Sequence, residues 1–404
     1  MVQTKIEQWH VKREGRLQQG STAPVFSIDP VALAKDPYPQ LAQMQRQAPI
    51  AWVPQLGGTL ITRFGDVDVC EKNIAIFSSD QPTGPMTRLM GRNMMRKDGQ
   101  EHRAERKAVM PSFSQRAVKE FWNTRIEQLV RLEVERCANE LALGPTDLVA
   151  GFATRVSGQV LREVTGLVQL TPEDMDWASQ SMINGVANLD GNPAVEAECQ
   201  RATAFLDQAI DDAVKMPSTL PEASMCRMLS LSKAPLGMIQ NNVKLAISGG
   251  QNETRDVLAG CIWAVLNFGF HASTLSWNRV FDEYVRWMAP IGMSPRRVAR
   301  DFDYHGIRFS EGSVVRLMFG IANRDPSRFG ADADQFRPDF DRPQHMAFGA
   351  GPHFCAGAFV SRMTIAGQAL PQFFDRFRDI CLWGETHFDG WAFRGPKSVS
   401  VRQI

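Results

Sequence analysis

Three observations in the sequence predict a mainly α-helical protein with small β-sheets. Helical periodicity dominates from about residue 98 to 290, and short strand-like runs flank it on both sides. A glycine-rich loop carrying a cysteine follows near the C-terminus. Hydrophobic residues make up 44% of the 404, enough for a large core. No stretch approaches the roughly 18–20 apolar residues of a membrane span.

The first ten residues are polar and carry no secretory apolar core. Residues 1–36 are expected to form an extension ahead of the main unit. Residues 50–53 and 59–62 have the composition of strands separated by turn residues, and 78–85 is a loop by composition. Interruptions of the helical region are expected around 191–193 and 217–221, where Gly and Pro cluster. A helix is expected over roughly 237–267, although Gly249 and Gly250 in its middle cost about 1 kcal/mol each relative to alanine. Residues 296–315 return to strand and turn character, and 323–343 read as an irregular meander. The cysteine loop and one more helix follow. The tail, 388–401, predicts a hairpin with Gly395-Pro396 near its bend.

Charges nearly cancel, at a net +1, which gives no electrostatic footprint for nucleic acid or an anionic membrane. The seven cysteines are Cys70, Cys137, Cys199, Cys226, Cys261, Cys355 and Cys381. They are odd in number, scattered, and never in Cys-x-x-Cys spacing, so neither a disulfide framework nor a zinc site is indicated. A reducing cytoplasm suits them best.

The most specific segment is Phe348-Gly349-Ala350-Gly351-Pro352-His353-Phe354-Cys355-Ala356-Gly357. Gly349 and Gly351 permit a tight turn with left-handed backbone. A rigid loop of this kind can aim N–H groups at a sulfur and keep it anionic. The pattern Phe-Gly-x-Gly-x-His-x-Cys-x-Gly resembles the heme-ligand loop of the cytochrome P-450 family, with every fixed position matched. The resemblance extends from about residue 37 to the C-terminus and implies a single large heme domain over 37–404. By resemblance, Cys355 is the thiolate ligand of the iron of heme b, and Phe348, Gly349 and Gly357 shape the loop around it. A thiolate ligand favours cleavage of an O–O bond.

Other segments match the family in order. Glu283-x-x-Arg286 places an acid and a base on one face of a strongly apolar helix and resembles the family's Glu-x-x-Arg element. Its expected partner is Arg342, and the resemblance implies a structural network behind the heme. A planar guanidinium suits a bidentate buried pair better than lysine would. His102 and Arg106, at i and i+4, resemble the clamp for the heme propionates, with Arg296 and His353 as two further ligands.

Gly249 and Gly250 match the place where the distal helix widens for oxygen. In most relatives the pair is followed, after one residue, by an acid and then Thr or Ser. This chain has Asn252 and Glu253 at those positions. Sliding the register to Glu253-Thr254 would turn Thr254 by about 100° away from the iron, so the departure is taken as real.

The resemblance implies a monooxygenase that uses O2 or H2O2. Its electrons would come from an external ferredoxin or flavodoxin-type donor with an NAD(P)H reductase. Residues 391–396 (Trp-Ala-Phe-Arg-Gly-Pro), with Glu253, look most like bacterial aryl-ether O-demethylases of the guaiacol and syringol type. A small apolar substrate is expected against Leu245, Ala246 and Gly249, flanked by Ile291, Met293 and Phe393. The alternatives are a hydroxylase of terpenoid, fatty-acid or other apolar molecules, and a heme-thiolate protein that does not activate oxygen.

Overall fold

The computed structural model describes residues 19–188 and 191–404. Helices dominate, and four small sheets lie around them. The strands are β1 (Ile50–Val53), β2 (Gly58–Ile61), β3 (Phe77–Ser78), β4 (Thr146–Asp147), β5 (Ser294–Val298), β6 (Phe302–Tyr304), β7 (Ile307–Phe309), β8 (Val314–Leu317), β9 (Ile380–Leu382), β10 (Phe388–Asp389), β11 (Gly395–Pro396) and β12 (Ser400–Gln403). The largest sheet has the order β1-β2-β8-β5-β3, with only the β2–β8 pair parallel. Strands distant in sequence are thereby joined, so Arg296 on β5 comes beside the segment that follows β3.

Eight helices frame the site: α1 (Phe64–Lys72), α2 (Gly99–Val109), α3 (Thr154–Thr165), α4 (Pro172–Ala187), α5 (Leu236–Ser248), α6 (Gln251–Asn267), α7 (Trp277–Met288) and α8 (Ala358–Arg362). Local chemistry fixes their ends. Thr171 caps α4 in a capping box, its Oγ1 accepting from the Asp174 N–H at 3.0 Å while Asp174 Oδ2 accepts from the Thr171 N–H at 2.8 Å. Pro172 occupies the first turn, where its missing N–H costs nothing. Along α7 the side chains of Val280, Phe281, Tyr284, Val285 and Met288 are all buried, the stripe that its periodicity predicts. Among the described residues no helix is long and apolar enough to cross a membrane.

Two expectations are corrected. The helix expected over 237–267 is two helices, α5 and α6, broken at Gly249 (φ −104°, ψ 8°) and Gly250 (φ −125°, ψ −28°). Carbonyls flanking the break accept from neighbouring hydroxyls: Ser179 Oγ to Ile247 O at 3.2 Å, and Ser157 Oγ to Gln251 O at 2.8 Å. A Cβ on Gly250 would lie 2.6 Å from Ala246 O and 3.0 Å from Leu161 Cδ2, so close packing of α3 against the break requires glycine.

The tail does form a hairpin, but Gly395-Pro396 is its returning strand, paired as Asp389↔Gly395 and Phe388↔Pro396. The bend lies between the strands, where Gly390 takes φ +92°. Gly395 serves another purpose, because a Cβ there would meet Asp256 Oδ2 of α6 at 2.2 Å.

Residues 21–33, within the segment expected as an extension, contact the main unit. Ser21 bridges Phe309, Val25 bridges Trp52, and Ile28 and Leu33 pack in one core with Leu41, Met44 and Leu60. Apolar side chains this far upstream gain burial only by joining the sheet, which the sequence pattern did not show. Residues 1–18 of the expected extension lie outside the described residues.

Candidate active site

The Cys355 loop is built by backbone geometry. Gly349 and Gly351 adopt φ 68° and 62°, and the Cys355 N–H returns to Phe348 O at 2.8 Å, closing the loop. Phe348 stacks on Phe281 of α7 at 6.0 Å between centroids. The Cys355 sulfur accepts from the N–H groups of Gly357 and Ala358 at the start of α8. Burial raises its pKa, while those two bonds and the nearby Arg106 charge pull it down. The sequence analysis missed Glu71 of α1, which is 1% exposed. Its Oε2 accepts from the Ala350 N–H at 3.2 Å, and its Oε1 forms an ion pair with Arg296. One buried carboxylate thus ties the cysteine loop to β5.

Basic side chains converge beside this loop. The His102 and His353 rings are 4.2 Å apart. Burial, then the His353 and Arg106 charges, push His102 down to about 4, so it is neutral at physiological pH, and its buried Nδ1 has no partner. His353 is committed through Nε2 to Asp98 at 2.8 Å. Against the opposing pull of burial, the bonds from His353 and Ser78 hold Asp98 below the usual carboxylate range. Arg106 is half-buried and close enough to Cys355 to act on it electrostatically; burial lowers its pKa. Arg296 spends its NH1 on Ser294 Oγ and Pro295 O and leaves Nε unpartnered. A further buried base that the sequence reading missed is Arg96. Burial and the Arg296 charge push it down to about 10, and its NH1 has no partner.

Glu253 lies in the first turn of α6. Burial, aided by Asp256 and opposed by Arg255, raises it to about 7. Its Oε2 has no partner, and its charge acts on Cys355. Its neighbour Asn252 donates Nδ2 to Gln180 Oε1 of α4 at 3.0 Å and so is turned toward α4.

Behind the cysteine loop, Arg286 is fully buried and pairs with Glu283 through Nε at 2.6 Å and NH2 at 2.7 Å. Arg342 lies 3.7 Å from Glu283, but its close partners are Asp332, at 2.8 and 3.0 Å, and Phe329 O, at 2.7 Å. Arg342 therefore braces the meander more than it neutralises Glu283.

The expected pocket residues separate. Leu245 belongs to the main core with Ala246 packed on it. Ile291 bridges Phe393, and the Gly292 N–H donates to Ala392 O at 2.9 Å, joining the 290s to the tail. Met293 instead packs with Trp391 on the core that contains Leu41, Leu60 and Met318.

The cytochrome P450 family model matches residues 277–381, the segment holding Glu283, Arg286 and Cys355. A steroid C26-monooxygenase of Rhodococcus jostii is 27% identical over 84% of this chain and 76% of its own length. Cytochrome P450 107B1 of Saccharopolyspora erythraea is 24% identical, covering 92% of this chain and 96% of that protein. The family model and the curated relatives alike match this chain to cytochromes P450. Its fold agrees with the crystal structure of P450BioI bound to an acylated acyl carrier protein, at a TM-score of 0.82 and 19% identity, covering 92% of this chain and 100% of that one.

Members of the family bind heme through a cysteine thiolate, and the residues of this P450 fit that group. Unpartnered buried N–H donors on Arg96 and Arg296 need anionic acceptors, as heme propionates are, and His102 Nδ1 beside them donates in one tautomer of the neutral ring. Arg106 likewise has no carboxylate partner among the described residues and is held beside the sulfur. Cys355 and Glu253 are both deep in the molecule yet retain accessible surface, as walls facing an internal space do. Neither Arg96 nor Glu71 carries a spacing signal in the sequence, because only the sheet crossover brings them to the loop.

Proposed function

We propose that this P450 removes the methyl group of a small methoxyaromatic compound, giving a phenol and formaldehyde, and that it accepts hydrogen peroxide directly. The observation that carries the peroxide reading is Glu253, a carboxyl with an unpartnered buried oxygen whose charge reaches Cys355. Heme, when bound, supplies the redox chemistry that inserts oxygen into a C–H bond. Glu253 manages the protons: Oε2 takes one from the near oxygen of hydrogen peroxide and returns it to the far oxygen, which leaves as water. A carboxyl raised to about 7 is present in both forms near neutrality and suits both steps. The balance is one methyl ether and one hydrogen peroxide giving one phenol, one formaldehyde and one water.

The substrate reading rests on the likeness of residues 391–396 to aryl-ether demethylases, with Leu245 and Ala246 as apolar side chains preceding the helix break. Such linings orient many apolar ligands. A second reading, hydroxylation of a larger terpenoid-like substrate, is favoured by the relative whose name records a steroid C26 reaction. Methoxyphenols supplied with NADH, a ferredoxin and its reductase, or with peroxide alone, should release formaldehyde stoichiometric with phenol. Hydroxylated products without formaldehyde would reject the demethylation.

Glu253→Gln keeps the volume and removes the base. Peroxide-driven turnover should fall by about 10²-fold or more, the usual scale for a lost acid–base group. A Gln variant as fast as the parent would show that Glu253 moves no proton in the rate-limiting sequence.

We place electron delivery at α2. Its exposed Arg103 and Lys107 have no acidic partner among the described residues, while Arg106 on the same helix faces Cys355. Free cations there attract an acidic ferredoxin or flavodoxin in a salt-dependent way. Arg103→Glu with Lys107→Glu should slow reduction and leave substrate-induced spectral shifts unchanged. A reduction rate indifferent to both substitutions and to salt would move the docking face elsewhere.

A further inference from the structure

The C-terminal turn of α1 is built against the cysteine loop. A Cβ on Gly349 would lie 3.1 Å from Glu71 Oε2, and one on Gly351 would lie 3.1 Å from Glu71 O and 3.2 Å from Lys72 Cα. Both glycines take positive φ, 68° and 62°. The loop therefore needs them twice, for the turn and for the narrow space that α1 leaves. Between them the Ala350 N–H donates to Glu71 Oε2 at 3.2 Å. The last turn of α1 thus splints the segment that leads to Cys355.

The other oxygen of Glu71 is spent on charge. Glu71 is 1% exposed, and its Oε1 pairs with Arg296, which is 4% exposed. Arg96 is also buried, and it stands close enough to Arg296 for that charge, after burial, to lower its pKa. Like charges out of water are costly without an opposite partner. The pairing also commits the guanidinium. Arg296 NH1 goes to Ser294 Oγ at 2.5 Å and Pro295 O at 3.0 Å, NH2 goes to Glu71, and only Nε is left unpartnered. Glu71 decides how much of Arg296, as donor and as charge, remains for an anionic cofactor group.

We propose that Glu71 is a positioning residue for the heme thiolate. One carboxylate holds the cysteine loop through Ala350 and offsets the charge of Arg296, and so sets both heme retention and the reduction potential of the iron. Groups at one remove from a metal orient its ligands and tune it, and hydrogen bonds and charge around a heme are levers on its potential. The sign follows from electrostatics. Reduction adds an electron, which a nearby negative group opposes and an unpaired arginine favours. Removing the Glu71 charge leaves Arg296 unopposed and should raise the potential. The inference depends on the thiolate site alone, not on the substrate or on peroxide use.

The test separates the two tasks on the holoenzyme. Glu71→Gln keeps the length and an oxygen for the Ala350 N–H and removes only the charge. It should keep the thiolate-type ferrous–CO band and the parent's rate of heme loss to excess apomyoglobin. Its ferric–ferrous equilibrium should move about tenfold toward ferrous, the scale of one buried charge, or about 59 mV upward for one electron. Glu71→Leu removes acceptor and charge together. It should show the same upward shift, lose heme about tenfold faster, and carry part of its ferrous–CO band at the shorter wavelength. Glu71→Gln combined with Arg296→Gln deletes a neutral pair, so the potential should return close to the parent's.

A parent-like potential in Glu71→Gln overturns the proposal even where Glu71→Leu sheds heme, because a mere brace would do that much. A potential that stays raised in the double variant overturns it as well, since the shift would then not come through Arg296. Should Glu71→Leu fail to fold, the Gln and double variants decide by themselves.

Discussion

Replacing Cys355 by His should move the ferrous–CO Soret band of the holoenzyme from the long-wavelength, thiolate-type position to the shorter-wavelength, imidazole-type one. It should also reduce oxygen transfer to background. The identity of the axial ligand sets the electron density at the iron, and only the thiolate pushes enough to favour O–O cleavage. Among the seven cysteines, Cys355 alone combines two backbone N–H donors with a neighbouring arginine. Burial pushes the Cys137 and Cys226 thiols up to about 12, and Cys70 and Cys261 are raised as well, so none of these four would ionise readily. Cys381 is the remaining partly accessible thiol, and Cys381→Ser should leave the spectrum unchanged. A thiolate-type band that survives Cys355→His would reject Cys355 as the ligand.

What the sequence made legible follows how locally each feature is encoded. The cysteine loop is a run of adjacent residues whose glycines take the positive φ the pattern demands, so its geometry could be read in place. Glu283 and Arg286 are one helical turn apart, and their apolar flank already indicated burial. Arg96, Glu71 and Gln180 could not be found that way. Each looks like an ordinary polar residue in its own segment, and the group it acts on (Arg296, Ala350 or Asn252) lies 72 to 279 positions away. The helix break at Gly249-Gly250 was half legible. The glycine cost was visible, but Leu161 and the two serine hydroxyls that settle the break come from other helices. Arg342 shows the converse limit: its place in the sequence pointed to Glu283, while Asp332, ten residues away, holds it more closely.

Arg286→Ala should destabilise the folded protein by about 3–5 kcal/mol, the scale for breaking a buried ion pair by removing one partner. Arg286 is 0% exposed and uses all five of its N–H donors. Two go to Glu283, and three go to the carbonyls of Asn323, Ala333 and Gln335 at 2.8, 2.7 and 2.9 Å. The substitution strands a buried carboxylate and three carbonyls together. Glu283 would keep only the Arg337 N–H at 2.8 Å and the more distant Arg342. Arg286→Lys should be nearly as damaging, because three donors on a flexible stem cannot reproduce a five-donor planar fork.

The contrast is the exposed pair Arg116–Glu120 at 2.8 Å, where Arg116→Ala should leave the unfolding midpoint nearly unchanged because solvent screens both groups. Since net stabilities are about 5–15 kcal/mol, the loss at Arg286 is roughly a fifth of the total or more. Denaturant unfolding and heme retention measured on the same samples check it. The carbonyls that Arg286 holds belong to the meander leading to Phe348 and Cys355, so the heme should be lost before the helices unfold. An Arg286→Ala protein with the parent's unfolding midpoint and full heme content would show that the pair is dispensable to the cysteine loop.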